Sequence, residues 1–365
     1  MTELLQLIND AATAALIAWL NTIWAAVTAA AAVFACTSRS RRLNAATRHA
    51  LWWAVAAFVI TVPLLYGTAN RAKPPQPAEL PASMAAGSDA VTPVVPAPVS
   101  AAADSRPLLL LPALPWDWNA GRVPLAMFGV WLVLFTVQMV RVASSYRWLG
   151  RLKREARAAP ARLRGEFDEW VLATAVRRPV RLLVSDAIES PVAVGFRDAA
   201  VILPASIVDG LEQQDIDHVL LHELAHIARR DDWTNLLARL LTGALAMNPV
   251  ALFVLRRIDR EREIACDDWV VAATGAAREY AASLSRLIEF RLARRRMLLA
   301  SGVAGRGTQI SDRISLLLES GRDFAGRMSP VGMGGALLAL TILLAVCTVA
   351  PPWIVSGQEA VPAAP

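Results

Sequence analysis

The sequence predicts a multi-pass α-helical membrane protein with four spans and a mostly helical cytoplasmic domain of the α+β kind that carries a small β-sheet. Three observations predict it. Hydrophobic residues make up 55% of the 365-residue chain and charged residues 19%, with a mean hydropathy of +0.41. An ordinary soluble domain has about 25% charged and 45–50% apolar residues. The apolar excess is gathered into four long blocks, and the basic residues are concentrated in alternate segments between them. Such a composition excludes a disordered chain, a collagen-like chain and a disulfide scaffold. The cysteines Cys36, Cys266 and Cys347 are far apart, so neither a disulfide framework nor a CxxC metal site follows from them.

Taken in order, the blocks run from about Ala11 to Cys36, Ala50 to Tyr66, Pro124 to Val142 and Val331 to Val355. Each is long enough to cross a bilayer as a helix, and backbone groups in lipid must be satisfied internally, which selects helices over open strands. The first block is not read as a cleavable signal, because Glu3 and Asp10 stand where a basic flank belongs. The domain plan is therefore two spans within 1–66 joined by a basic loop (37–49), an extracytoplasmic Pro/Ala-rich linker (67–122), a third span (123–143), a cytoplasmic domain (144–330), a fourth span (331–355) and a short tail (356–365).

Orientation follows from the positive-inside rule. Loop 37–49 has Arg39, Arg41, Arg42 and Arg48 and no acid, and segment 141–164 has eight basic residues against Glu155 alone. The 67–122 segment is balanced, and the tail SGQEAVPAAP has no basic residue. The 37–49 loop and the 144–330 domain are thus expected in the cytoplasm, and both termini outside. The lipid bilayer accounts for the charge pattern, and no direct nucleic-acid binding is expected.

Within the cytoplasmic domain, Tyr146 to about Ala158 reads as a basic helix along the membrane surface. Strands are expected at Val180–Ser185, Val192–Phe196 and Ala200–Leu203, the last stopped by Pro204. Helical patterns follow over Asp215–Arg230, Ile258–Thr274 and Arg278–Met297. The apolar stretch Trp233–Leu255 is broken at Asn248-Pro249 and contains Arg239. These features favour a hairpin that packs on the domain or dips into the cytoplasmic leaflet over a fifth span.

The chemistry rests on His222-Glu223-Leu224-Ala225-His226. Residues four apart share a helix face, so both imidazoles aim at one point where they can bind zinc, with Glu223 within reach of an activated water. A helix with two surface histidines and a solvated glutamate has the same spacing. A catalytic zinc takes three protein ligands and keeps one position open. Glu263 offers the third, and Asp267, four residues on, shares its face and suits a group that orients a ligand imidazole. Glu261 competes with Glu263 on spacing alone. His218, one turn before His222, reads as ordinary helix surface, and Cys266 as a small buried residue. Arg229, Arg230 and Asp231 read equally as a cluster orienting the site or as a solvated helix end. Tyr280 reads as a packed helix tyrosine or as an oxyanion donor. The strands at 192–203 read as structural sheet or as a docking edge for an extended substrate.

HELAHIARRD, Asn235, Asn248-Pro249 and EREIACDD resemble the membrane zinc peptidases of the BlaR/MecR type, the transducers of β-lactam resistance sensing. Ser190-Pro191…Gly195, Val201-Ile202-Leu203-Pro204 and the four-block layout extend the resemblance over most of residues 1–355. It implies a zincin-type metallopeptidase domain with His222, His226 and Glu263 as Zn2+ ligands, Glu223 as catalytic base and Asp267 behind the ligands. It also implies hydrolysis of a cytoplasmic protein substrate, such as a DNA-binding repressor, after an outside signal. Self-cleavage near Arg291–Arg296 and the 300–307 loop is implied by the resemblance alone; a flexible basic linker is the plain reading. With ten residues after the fourth block, no extracellular penicillin-binding domain is expected, nor direct β-lactam sensing. Two other readings stand beside this one. A quality-control or processing protease of the HtpX/Ste24 type also uses HExxH with a later glutamate. A non-enzymatic anchor or partner protein would need a fourth structural ligand and no base. The oligomeric state stays open.

Overall fold

The computed structural model describes residues 2–39, 43–71, 114–116, 123–196, 198–298, 307–319, 322, 324, 330–349 and 354–356. In chain order these form α1 (Thr2–Arg39), α2 (Ala45–Arg71), β1 (Leu114–Trp116), α3 (Val123–Glu155), β2 (Arg157–Ala158), α4 (Ala161–Ala173), β3 (Val180–Ser185), β4 (Val192–Val194), β5 (Ala199–Pro204), α5 (Ala205–Gly210), α6 (Gln213–Ala228), α7 (Asp231–Ala244), α8 (Pro249–Thr274), α9 (Ala277–Leu298), α10 (Gly307–Leu317), α11 (Pro330–Val349) and β6 (Ile354–Ser356). The chain is mostly helical with a small mixed sheet. Most of the expected linker (67–122), part of the 37–49 loop, the 300–307 loop up to Arg306 and nearly all of the tail lie outside the described residues.

Among the described residues, Glu3–Arg39, Ala45–Gly67 and Val123–Glu155 are long and apolar enough to cross a membrane. The fourth block forms α11, whose apolar stretch Met333–Cys347 is shorter, and α11 packs on α2 and α1. The apolar cluster of this bundle takes in Ala25–Val33 of α1, Leu51–Val62 of α2, and Leu340 and Cys347 of α11. It also takes in Ala238 of α7 and Ala251, Val254, Leu255 and Ile258 of α8.

The four-stranded sheet has the order β2-β3-β5-β4, with β3 and β5 parallel and the outer pairings antiparallel. All six residues of β5 are buried, because the sheet is covered on both faces. Val201 and Leu203 face a core built with Leu163 and Phe167 of α4 and Leu220 and Leu224 of α6. Ala200 and Ile202 face the other way, with Leu183 and Leu152 of α3. Fully burying each large side chain is worth about 1.5–3 kcal/mol, so α6 is fixed on the sheet along its length.

Several expectations are corrected. No separate surface helix spans 146–158: α3 runs unbroken from the third block to Glu155, and Arg157–Ala158 form a strand against β3. The helix expected from Ile258 begins at Pro249, since Asn248 caps it by accepting from Ala251 N (3.0 Å) and proline is tolerated in the first turn. The strand expected to Phe196 ends at Val194. The hairpin expected over 233–255 is observed as α7 and the start of α8. Helices α4, α5 and α10 were not foreseen.

Candidate metal centre

Helix α6 is amphipathic in an unusual way. Leu220 and Leu224 are buried on the sheet side and Leu221 against α8, α9 and α10, while His218, His222 and Glu223 line a cleft of about 170 Å³. Glu263 and Tyr280 also line it. The His222 and His226 rings lie nearly perpendicular, with centroids 5.0 Å apart. From α8, Glu263 Oε2 comes within 3.7 Å of His222 Nε2. One donor atom from each of His222, His226 and Glu263 falls within 4.8 Å of the others. Three of the site residues named from the sequence are thus brought together, with Glu223 on the wall of the same cleft.

Both imidazoles are held from behind. His222 Nδ1 lies 3.2 Å from Asp267 Oδ1 and 3.1 Å from the Tyr280 hydroxyl. Tyr280 donates to Asp267 Oδ1 (2.7 Å), so its hydroxyl is already engaged. His226 Nδ1 lies 2.9 Å from Asp231 Oδ2. Arg230 makes that contact geometrically feasible: it adopts a left-handed conformation (φ 59°) that reverses the chain after α6 and brings Asp231, the first residue of α7, back under His226. Arg229 Nε and the Cys266 thiol also donate to Asp231 Oδ2, while Arg230 itself is exposed. The orienting reading of this cluster holds for Asp231 and Arg229, not for Arg230. Replacing Asp231 by Asn, which removes the charge but keeps the shape, should lower metal affinity about 10–100-fold, as measured by competition with a chromogenic chelator.

Electrostatics sharpen the arrangement. Burial alone would raise the Asp267 pKa, but Arg313 and His222 outweigh it and hold the carboxyl well below the usual range. Glu263 behaves alike: burial is overcome by His222, His226 and Arg262. Burial also drives the Cys266 thiol and the Tyr280 hydroxyl well up, keeping both protonated.

Other expectations change. Glu261 is turned away from the histidines and buried against α2, where Arg48 Nε donates to its Oε2 at 2.8 Å. His218 is not helix surface: it is buried, with Nδ1 2.7 Å from Ser283 Oγ. Arg313 was missed. Its Nε and Nη2 donate to Asp267 at 2.7 and 2.6 Å in a bidentate pair. The available signal was that Ile310, Arg313, Ile314 and Leu317 form one helical stripe in which arginine fills an apolar position.

A family model described as BlaR1 peptidase M56 matches residues 16–317. The chain is similar to the regulatory protein BlaR1 of Staphylococcus aureus, 19% identical over 142 residues, which is 39% of this chain and 24% of that protein. It is 28% identical to the regulatory protein BlaR1 of Bacillus licheniformis over 143 residues, again 39% and 24% of the two chains. It is 24% identical to the methicillin resistance mecR1 protein of Staphylococcus epidermidis over 91 residues, 25% of this chain and 16% of that one. The chain spans about a quarter of the length of the BlaR1 relatives it matches.

Proposed function

The chain belongs to the M56 peptidase family, and from that premise we propose that it is an integral-membrane zinc metalloendopeptidase that cuts a cytoplasmic protein as part of a signalling response. The observation that carries this is the convergence of His222, His226 and Glu263 in a cleft that Glu223 also lines. Two imidazoles and a carboxylate suit zinc, and three protein donors leave one coordination position for substrate chemistry. The donor set passes a further test. Each Nδ1 is engaged by a carboxylate, which leaves each Nε2 as the metal-binding nitrogen.

His222, His226 and Glu263 would hold the ion. Zinc bound there supplies Lewis-acid activation of water and polarisation of the scissile carbonyl. Glu223 takes the proton from the attacking water and passes it to the leaving amine. Asp267 and Asp231 fix the imidazoles, and Val219, Leu284, Leu287 and Ile288 present an apolar wall against which a substrate side chain can pack.

The membrane arrangement follows the charge pattern: four spans, the peptidase domain in the cytoplasm and both termini outside. The pairing of β1 with β6 supports it, because that contact joins Leu114–Trp116 of the outer linker to Ile354–Ser356, where the fourth block passes into the outer tail. The relatives are regulatory and resistance proteins, which favours one regulatory substrate such as a DNA-binding repressor over broad quality control.

The test compares the cytoplasmic proteomes of cells carrying the wild type and Glu223→Gln. The variant should retain its zinc and lose about 10²–10⁴-fold in cleavage rate. One DNA-binding protein cut only by the wild type supports the proposal. Normal cleavage by Glu223→Gln refutes the role of Glu223, and a broad set of fragments points to a housekeeping protease.

A further inference from the structure

We infer that the α7–α8 hairpin is a re-entrant membrane element that enters the bilayer from the side of the metal centre, turns at Leu245–Asn248 near its middle and returns to the same side. Three independent observations carry it.

The first is register against α3. Trp131 Nε1 donates to Ala244 O (2.8 Å) and Gln138 Nε2 to Arg239 O (3.3 Å), so α7 runs antiparallel to the span. At the other end, Phe196 stacks edge-on between Tyr146 and Trp233, with centroids 5.1 and 5.0 Å away. Helix α7 has 14 residues and is therefore about 21 Å long, and Trp131 to Tyr146 is about 22 Å along α3. The two helices thus share both ends. Trp131 lies about 16 Å inside the Val142 end of the apolar block, roughly half of a ~30 Å hydrocarbon core.

The second is the surface. Trp233, Leu237 and Leu240 are 56%, 47% and 38% exposed and lie on one face of α7. They continue the exposed apolar face of α3 (Val133, Leu134, Val137, Val140). Lipid is the occupant that suits both. Arg239 fits because side chains tilt towards a helix N-terminus, here the membrane surface.

The third is the tip. Asn248 N donates to Leu245 O (2.9 Å), Ala246 N to Gly243 O (3.3 Å), and Asn248 caps α8, while Trp131 serves the last carbonyl of α7. A turn inside hydrocarbon needs such internal satisfaction. On the return, charged residues resume at Arg256 and Arg257. Arg257 sits over Phe34 (4.5 Å), close to the Arg39 end of α1.

The inference is tested with Leu240→Cys and Trp233→Cys, each placed in a Cys36→Ser/Cys347→Ser chain that keeps the buried Cys266. The full-length proteins are labelled with an environment-sensitive fluorophore and reconstituted into phosphatidylcholine/phosphatidylglycerol vesicles. These vesicles contain lipid with a nitroxide either mid-chain or near the headgroup. Unchanged helical circular dichroism certifies the fold. The mid-chain nitroxide should quench residue 240, the shallow one residue 233, and aqueous iodide should leave residue 240 unaffected. Iodide quenching at residue 240 without lipid quenching overturns the inference. So does an Ala246→Cys label that impermeant iodide reaches only from the side opposite the peptidase domain, since that makes the segment a full span.

Discussion

Glu263→Gln is expected to strip the purified protein of zinc, while Glu261→Gln leaves the metal content unchanged. Both are glutamates on α8, two positions apart, and the sequence could not rank them. The structure separates them by direction. Glu263 faces His222 and His226, and its carboxyl is kept ionised. Glu261 points to the base of α2 and is paired with Arg48. Zinc sites contribute about 10–16 kcal/mol in total, so losing one of a few donors should weaken binding on the order of 10²–10³-fold. Glutamine preserves the shape of the side chain, which confines the effect to charge and coordination. Elemental analysis after dialysis against a weak chelator reads the result. Full occupancy in Glu263→Gln, with depletion in Glu261→Gln, would transfer the ligand role to Glu261.

The same experiment has a pH signature. In the metal-free chain burial opposes charge on His222, but Asp267 and Glu263 outweigh it and raise its pKa to about 9. A raised histidine pKa gives the metal-free fold stability that is fully present below the unfolded value of 6.5 and lost as pH rises through about 9. Zinc has to displace that proton. Apparent affinity should therefore climb about tenfold per pH unit towards 9 and level off above it.

What could be read from the sequence divides along physical lines. Helices α1–α3, long and apolar enough to cross a membrane, were legible because a bilayer imposes length and composition on consecutive residues. The strand Val180–Ser185 was legible because it is a short apolar run between polar segments. Both histidines and Glu263 were legible because helical spacing turns sequence distance into direction. The rest depends on contacts between remote segments. Nothing local says that α3 continues past Val142 as one helix; Leu152, packed on Leu183 and Ile202, supplies the reason. His218 looked like surface because its partner, Ser283, lies on α9, 65 residues away. Arg313 looked like one more basic residue of an Arg-rich chain, because a counterion on another helix leaves no mark on its neighbours in sequence. Glu261 and Glu263 show the limit most clearly: the base of α2, reached only by folding, decides between them.

Arg313→Met should be more damaging than Asp267→Asn, although neither residue belongs to the proposed metal-binding trio. Asp267 is almost wholly buried and receives two hydrogen bonds from Arg313 and one from Tyr280. Removing the arginine leaves a carboxylate in a protein interior without its counterion, and breaking such a pair costs about 3–5 kcal/mol. Removing the charge from Asp267 instead leaves Arg313, which still lies 3.9 Å from Glu263 Oε2. The midpoint of thermal unfolding in detergent should therefore fall further in Arg313→Met. Both variants should bind zinc about 10–100-fold more weakly: Asp267→Asn removes the carboxylate charge that fixes the His222 ring with Nδ1 as donor, and Arg313→Met removes the two hydrogen bonds that hold that carboxylate in place. The double variant Arg313→Met/Asp267→Leu separates the two effects. Replacing a buried ion pair by apolar side chains is often neutral for stability, so its unfolding midpoint should recover while its zinc affinity stays low. Acid gives an independent check. The Asp267 pKa is depressed in the fold, so its stabilisation is present above the unfolded value of 3.8 and is lost as pH falls below it. The wild type should show that acid-side loss and the double variant should not. Recovery of zinc affinity together with stability in the double variant would mean that Arg313 and Asp267 only brace α8 against α10 and leave His222 to orient itself.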